Sequence, residues 1–260
     1  MEYILYRKKK AFIRKFAVTI FTLGLSFSSI MNLSSNLGAT ESDEVMSSND
    51  NQYLAQSLPD GFVLVSDVVP DAIQEIRYYS TYNFVGERIE AYNAPVAILS
   101  KKAAVALKKA SDDFISQGYY IKIFDAYRPQ SAVNHFIRWS QDKKDIKMMP
   151  FFYPDVNKED LFKLGYIVAK SSHSRGSTLD MTIVDAKTGK EVDTGSPFDL
   201  FDEISHHGSD KATSAQRQNR EIIKNTMERN GFKSYQTEWW HYTLRDEPYP
   251  ETYFDFPVGV

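Results

Sequence analysis

An α+β fold, in one domain over residues 61–260, is what this sequence predicts, and three observations lead there. Stretches with helical and with strand periodicity follow one another in mixed order, without the regular alternation that builds a doubly wound parallel sheet. No internal repeat divides the chain. A hydrophobic content of 42%, with 14% aromatic and 25% charged residues, supplies a continuous core and lacks the bias of a disordered or fibrous chain.

The elements follow in order. Residues 1–39 read as a signal peptide: Arg7, Lys8, Lys9, Lys10, Arg14 and Lys15 precede an uncharged run over 16–40, with small residues Gly38 and Ala39 after Leu37 as a cleavage site. The run is also long enough to serve as an uncleaved anchor. With either outcome the globular part is expected outside the cytoplasm, in the periplasm, the cell envelope or the medium, and without stable membrane insertion once the leader is cleaved. Residues 40–60, polar and rich in Ser, Asn and acids, read as a tail or linker. From Ser100 the run SKKAAVALKKASDDFISQG has a Ser cap, apolar Ala104, Leu107 and Phe114, and Gly118 as a stop, so it predicts a helix. Tyr119 to Phe124 predicts a strand, Ala132 to Trp139 a second helix, and Ala215 to Asn230 a third, closed by Gly231. Further strands are expected at Leu179 to Val184 and Glu238 to Leu244.

Charge and cysteine count narrow the chemistry. A formal net charge of -3 offers no field for nucleic acid, which is therefore not expected as a partner. Zero cysteines exclude disulfides, thiolate metal sites, a cysteine nucleophile and a lipoprotein anchor, so any metal must be held by His, Asp or Glu.

Five histidines remain, at positions 135, 173, 206, 207 and 241. His173 and Asp180 lie seven apart in SSHSRGSTLDMT, where Arg175, Gly176 and Ser177 read as a turn that brings the flanking segments together. With His241 of TEWWHYT they make two imidazoles and one carboxylate, a set that leaves a fourth tetrahedral position open as catalytic zinc requires. One Zn2+ per chain is therefore expected. Hydrolysis also needs a base, and Glu238 is the candidate. An ideal strand would put Glu238 and His241 on opposite faces, so an irregular strand start or a bulge is expected between them. Arg128, in FDAYRP, offers a permanent positive charge on a turn fixed by Pro129, suited to an oxyanion, and Asp199, in SPFDLF, offers a carboxylate for a substrate ammonium group. Each residue also has a plainer reading: loop or packing histidines, a strand-edge Asp180, a solvated Glu238, a structural ion pair at Arg128 and a helix cap at Asp199. Trp239 and Trp240 suit core packing, His135 packing in its helix, and the adjacent His206 and His207 the surface.

Together FDAYRPQSAV, SSHSRGSTLDMT and EWWHYTLRDEPYP resemble the D-alanyl-D-alanine dipeptidases of the VanX type, within the zinc D-Ala-D-Ala peptidases related in fold to the hedgehog signalling domain. The similarity extends from about Ile76 to the terminal YFDFPV. It implies a mainly antiparallel central sheet flanked by helices, zinc on His173, Asp180 and His241, Glu238 as general base, and Arg128 stabilising the tetrahedral intermediate. It also implies that Tyr78, Ser171 and Asp199 seat the free amino end of a small D-amino-acid dipeptide, with Ser172 and Trp239 nearer its carboxylate side or the pocket wall. Tyr79 is the alternative register for Tyr78.

The expected reaction is hydrolysis of D-Ala-D-Ala to two D-alanines, without a covalent intermediate, in peptidoglycan precursor metabolism or glycopeptide resistance. Two rivals stand beside it. One is a D,D-carboxypeptidase trimming cell-wall stem peptides; the other is a non-catalytic zinc module that binds cell-wall peptide, for which neither Glu238 nor Arg128 would be needed.

Overall fold

From residue 57 to residue 259, the span that the computed structural model describes, the chain runs β1 (Phe62–Leu64), α1 (Val65–Val68), β2 (Ile73–Gln74), β3 (Ile98–Ser100), α2 (Lys101–Ser116), β4 (Tyr119–Asp125), α3 (Gln130–Gln141), α4 (Met149–Phe152), β5 (Thr178–Asp185), α5 (Ser214–Arg229), β6 (Phe232–Tyr235) and β7 (Glu238–Leu244). Three 3-10 turns, Lys158–Asp160, Ser172–Arg175 and Glu203–Ser205, lie between them. The leader expected over 1–39, and residues 40–56 of the expected tail, lie outside the described residues. No helix among the described residues is long and apolar enough to cross a membrane.

The main sheet has the order β2-β4-β5-β7-β6, antiparallel except for the parallel pair β2–β4, and β1 with β3 forms a separate antiparallel pair. This is an α+β arrangement with a mixed sheet. Helix α2 starts where Ser100 Oγ accepts the Ala103 N–H, and its buried stripe of Ala103, Leu107, Ala110 and Phe114 follows the helical period. That stripe packs on β4 and α5. Helix α5 opens with a capping box of Thr213 and Gln216 and packs on β6 and β7. Each expected helix and strand is present, with ends shifted by one or two residues where caps or pairing extend it.

Strand β5 is buried along nearly its whole length, as a strand covered on both faces must be. Alternation places Leu179, Met181 and Ile183 on one face and Thr178, Asp180 and Thr182 on the other. Two carboxylates, Asp125 and Asp180, thus come opposite each other across β4 and β5, after a register shift in β4 between Ile123 and Asp125. The polar face of this central strand is where the candidate site lies.

Candidate active site

Asp180 on β5 and His241 on β7 are direct partners in the antiparallel ladder, so their side chains emerge side by side on one face. His173 reaches the same point from the turn Ser172–Arg175, whose cap is Ser171: its Oγ accepts the His173 N–H at 3.3 Å. Gly176 then redirects the chain into β5 at φ 78°, and a Cβ there would stand 2.3 Å from the Phe62 ring, so only glycine fits. The turn read from Arg175, Gly176 and Ser177 does bring the two segments together.

Three donor atoms form a nearly equilateral triangle. His173 Nε2 is 3.3 Å from Asp180 Oδ1, His241 Nδ1 is 3.2 Å from the same oxygen, and the two ring nitrogens are 3.3 Å apart. Tetrahedral bonds of about 2.0–2.1 Å to a divalent ion would separate the donors by about 3.3 Å, so the triangle has the size such an ion needs. Asp180 Oδ1 is buried and has no hydrogen-bond partner, an orphan that a cation satisfies. These residues fit a metal, and they are the one cluster of three such groups with metal-holding geometry among the described residues.

The far side of each imidazole is also occupied. His173 Nδ1 lies 2.7 Å from the Ala126 carbonyl, to which it donates, leaving the Nε2 lone pair for a metal. His241 Nε2 lies 3.3 Å from Ser172 Oγ and 3.4 Å from Thr243 Oγ1, and Thr243 is bonded in turn to Thr178 at 2.9 Å, which leaves Nδ1 for the metal. Burial holds His173 below its ordinary pKa, against Asp180, which acts to raise it. For Asp180, burial alone would raise the carboxyl, but His173 and His241 outweigh it and hold it well below the usual carboxylate range.

Glu238 meets the face problem through a bulge. Ser234 pairs with Tyr242 but Tyr235 pairs with Glu238, so one step on β6 is matched by four on β7. The looped-out residues let Glu238 Oε2 come within 3.5 Å of His241 Nδ1. Burial raises the Glu238 carboxyl above its ordinary value, with His241 opposing.

Arg128 lies against both buried carboxylates. Its Nε donates to Asp125 Oδ2 at 2.9 Å, while Nη2 is 2.8 Å from the same oxygen and 3.5 Å from Asp180 Oδ2. The guanidinium also lies over the rings of Tyr78 and Phe136, at 4.9 and 5.3 Å. Nearby, Tyr78 donates its hydroxyl to Asp199 Oδ2 at 2.9 Å, so Tyr78, not Tyr79, holds the cleft position. Asp199 sits at φ 61°, an uncommon backbone state for a non-glycine residue. Its carboxyl is raised well above the usual range by burial and by Asp180, with Arg128 opposing.

A cleft of about 320 Å³ joins these groups: Tyr78, Arg128, Ser171, Ser172, His173, Asp180, Asp199, Glu238 and His241 all line it, with aromatic walls from Phe84, Phe136 and Phe201. Trp239 does not line it. That residue is buried with its indole N–H donated to Ser196 Oγ at 2.9 Å, and it packs edge-on against Trp240, in keeping with the core reading of the pair. His207, expected at the surface, is instead buried at 4% exposure under the Tyr242 ring. His135 is half-buried and ties helix α3 to the 87–90 loop through the Glu87 carboxylate and the Glu90 N–H. Sequence reasoning passed over Asp125, although its spacing of three before Arg128 at a strand end is a readable signal, and over Thr178 and Thr243, which only the ladder brings together.

Comparison with known proteins agrees with the geometry. Residues 59–259 match the sequence profile of the peptidase M15 family, described as D-Ala-D-Ala dipeptidase. A D-alanyl-D-alanine dipeptidase of Enterococcus faecalis is 39% identical over 202 residues, covering 78% of this chain and 100% of the relative. Namesakes from Enterococcus faecium and Streptomyces coelicolor are each 38% identical over 198 residues, covering 76% of this chain and 98% of each relative. With a match across the described domain and a metal-sized donor triangle at its centre, this chain belongs to the peptidase M15 family of D-Ala-D-Ala dipeptidases, which are metallopeptidases.

Proposed function

We propose that this protein hydrolyses the free dipeptide D-Ala-D-Ala to two D-alanines with one zinc ion on His173, Asp180 and His241. The observation that carries the reading is the cleft in which this donor triangle, Glu238 and the Tyr78–Asp199 pair all converge. The two-imidazole, one-carboxylate set suits zinc, which when bound acidifies water and polarises a carbonyl oxygen. Glu238, beside His241, accepts the proton of the attacking water and delivers it to the leaving amine. Arg128, held at Nε and Nη2 by Asp125, lines the cleft and directs its positive charge at the developing oxyanion. Asp199 and Tyr78 take the substrate ammonium, with Ser171 beside them, while Ser172 serves the site through its contact with His241. The leader read in residues 1–39 supports an exported enzyme, working in the cell envelope on D-Ala-D-Ala from peptidoglycan precursor metabolism or in glycopeptide resistance.

The test is turnover by the purified, zinc-loaded protein on D-Ala-D-Ala and on its N-acetyl derivative, with released D-alanine as the readout. Hydrolysis of the free dipeptide in strong preference is the expected result. Preference for the N-acetylated form would favour a carboxypeptidase of stem peptides, and no turnover of either would leave a binding module.

A further inference from the structure

Asp125 is wholly buried at the end of β4, and both of its carboxylate oxygens accept hydrogen bonds. Its Oδ1 accepts the Tyr92 hydroxyl at 2.6 Å. Its Oδ2 accepts Arg128 Nε at 2.9 Å, stands 2.8 Å from Arg128 Nη2, and faces His173 Nδ1 at 3.4 Å. One carboxylate therefore touches the arginine of the cleft and the back of a metal-ligand imidazole. Such a contact is costly to arrange, because Asp125 is directly opposite Asp180 in the ladder and like charges so placed repel. A register shift in β4 is what brings it there. A carboxylate needed only to pair with a buried arginine would gain nothing from a place across from a second carboxylate.

We propose that Asp125 is a positioning residue for the hydrolysis assigned above: it pins Arg128 through Nε and Nη2 so that the guanidinium faces the substrate oxyanion, and braces His173 from its Nδ1 side. The inference rests on that reading of the site. Arg128 without Asp125 keeps its charge and its ring contacts with Tyr78 and Phe136, but its remaining carboxylate contact is Asp180 at 3.5 Å, and a misplacement of about 1 Å at such a group costs on the order of 10²-fold in rate. The second contact acts on the metal through charge: His173 Nδ1 gives its proton to the Ala126 carbonyl, and the Asp125 carboxylate 3.4 Å away favours that same tautomer, in a shell whose members set affinity by about 10–100-fold.

The experiment compares wild type with Asp125→Asn, which preserves shape and removes charge, and with Tyr92→Phe, which removes the other hydrogen bond and leaves the charge. For Asp125→Asn the expected results are a kcat for D-Ala-D-Ala lower by on the order of 10²-fold, a KM within about threefold, and Zn2+ affinity by chelator competition weaker by at least about tenfold. Tyr92→Phe should hold kcat and Zn2+ affinity within a few-fold, so equal losses in the two variants would reduce Asp125 to a structural role and overturn the proposal. A double-mutant cycle reads the mechanism: in an Arg128→Ala background, Asp125→Asn should cost little more kcat, whereas fully additive losses overturn action through Arg128. Should Asp125→Asn not fold, Asp125→Glu keeps the charge and lengthens the reach, with kcat expected to fall at least about tenfold at unchanged KM; wild-type kcat in that variant overturns the proposal. If wild type itself fails to cleave D-Ala-D-Ala, the functional reading falls, while the Zn2+ competition still reads the bracing of His173.

Discussion

Glu238 Oε2 stands 3.5 Å from His241 Nδ1, although the two residues are three apart on one strand. Alternation would separate them by the thickness of the sheet. The bulge that reunites them lies where β7 runs past the end of its pairing with β5, which stops at the Asp180–His241 pair, so the distortion costs no central ladder bonds. His241 is held by its ladder partner while Glu238, on the far side of the bulge, is free to be a base.

Replacing Glu238 by Ala therefore separates binding from chemistry. The donor triangle does not include Glu238, so Zn2+ content and affinity should stay within a few-fold of wild type. Turnover of D-Ala-D-Ala should fall by about 10²–10⁴-fold, the span attributed to a positioned general base. Metal analysis and a D-alanine assay on the same preparation check both halves, and equal activity in the two proteins would remove Glu238 from the mechanism.

On the proposed reading, Asp199 should govern which substrates are accepted. A protonated amino end gives its buried carboxylate a partner besides Tyr78, whereas an acylated end leaves that carboxylate unmatched. Asn in place of Asp199 keeps the size and tolerates the left-handed backbone at φ 61°, so the fold should survive. We expect KM for free D-Ala-D-Ala to rise and the preference over N-acetyl-D-Ala-D-Ala to shrink by at least about tenfold. Steady-state kinetics on both substrates decide it: an unchanged ratio places amine recognition elsewhere.

The candidate metal group was legible because local chemistry constrains it. Few histidines exist, the HxxxxxxD segment spans one turn, and Glu238 with His241 sits in one strand whose conflict with alternation itself announced a bulge. What escaped the sequence depends on long-range pairing. Thr178 and Thr243 lie 65 residues apart and share a hydrogen bond only because β5 and β7 are in register. Trp239 stands next to Glu238 and two before His241, yet its indole N–H is donated to Ser196. His207 reads as surface beside His206, and only the packing of its loop under Tyr242 buries it.

The loop that carries Asp199 depends on Arg220 of α5. This arginine is fully buried and, among the described residues, faces no carboxylate at hydrogen-bonding distance; it donates instead to the carbonyls of Thr194, Ile204 and His206 at 2.6–2.7 Å, bracketing the loop on both sides. Burial, with Arg217 beside it, draws its pKa down to about 10, so it remains charged at neutral pH. Arg220→Met would leave three carbonyls unsatisfied, at about 1 kcal/mol or more each. The expected loss is about 3 kcal/mol or more, equivalent to a Tm lower by roughly 6–12 °C in a domain of this size. A thermal melt checks the figure, and KM for D-Ala-D-Ala should rise with the loosened Asp199.

His207 should set part of the acid limit of stability. Neither ring nitrogen has a hydrogen-bond partner, and burial, assisted by the charges of Lys224 and Arg220, holds its pKa at about 4 instead of 6.5. The folded protein thus keeps this imidazole neutral down to about pH 4, while the unfolded chain protonates it near 6.5. Between those values the unfolded state binds the extra proton, so the contribution is complete above about pH 6.5 and is lost as pH falls toward 4. The loss amounts to roughly 3 kcal/mol at the lower end. In His207→Gln that titration is gone, and denaturant melts at pH 7 and pH 4.5 should show the variant losing roughly 2–3 kcal/mol less than wild type over the interval. Parallel losses in the two proteins would mean that His207 takes up its proton in the fold, through an opening of the loop beneath Tyr242.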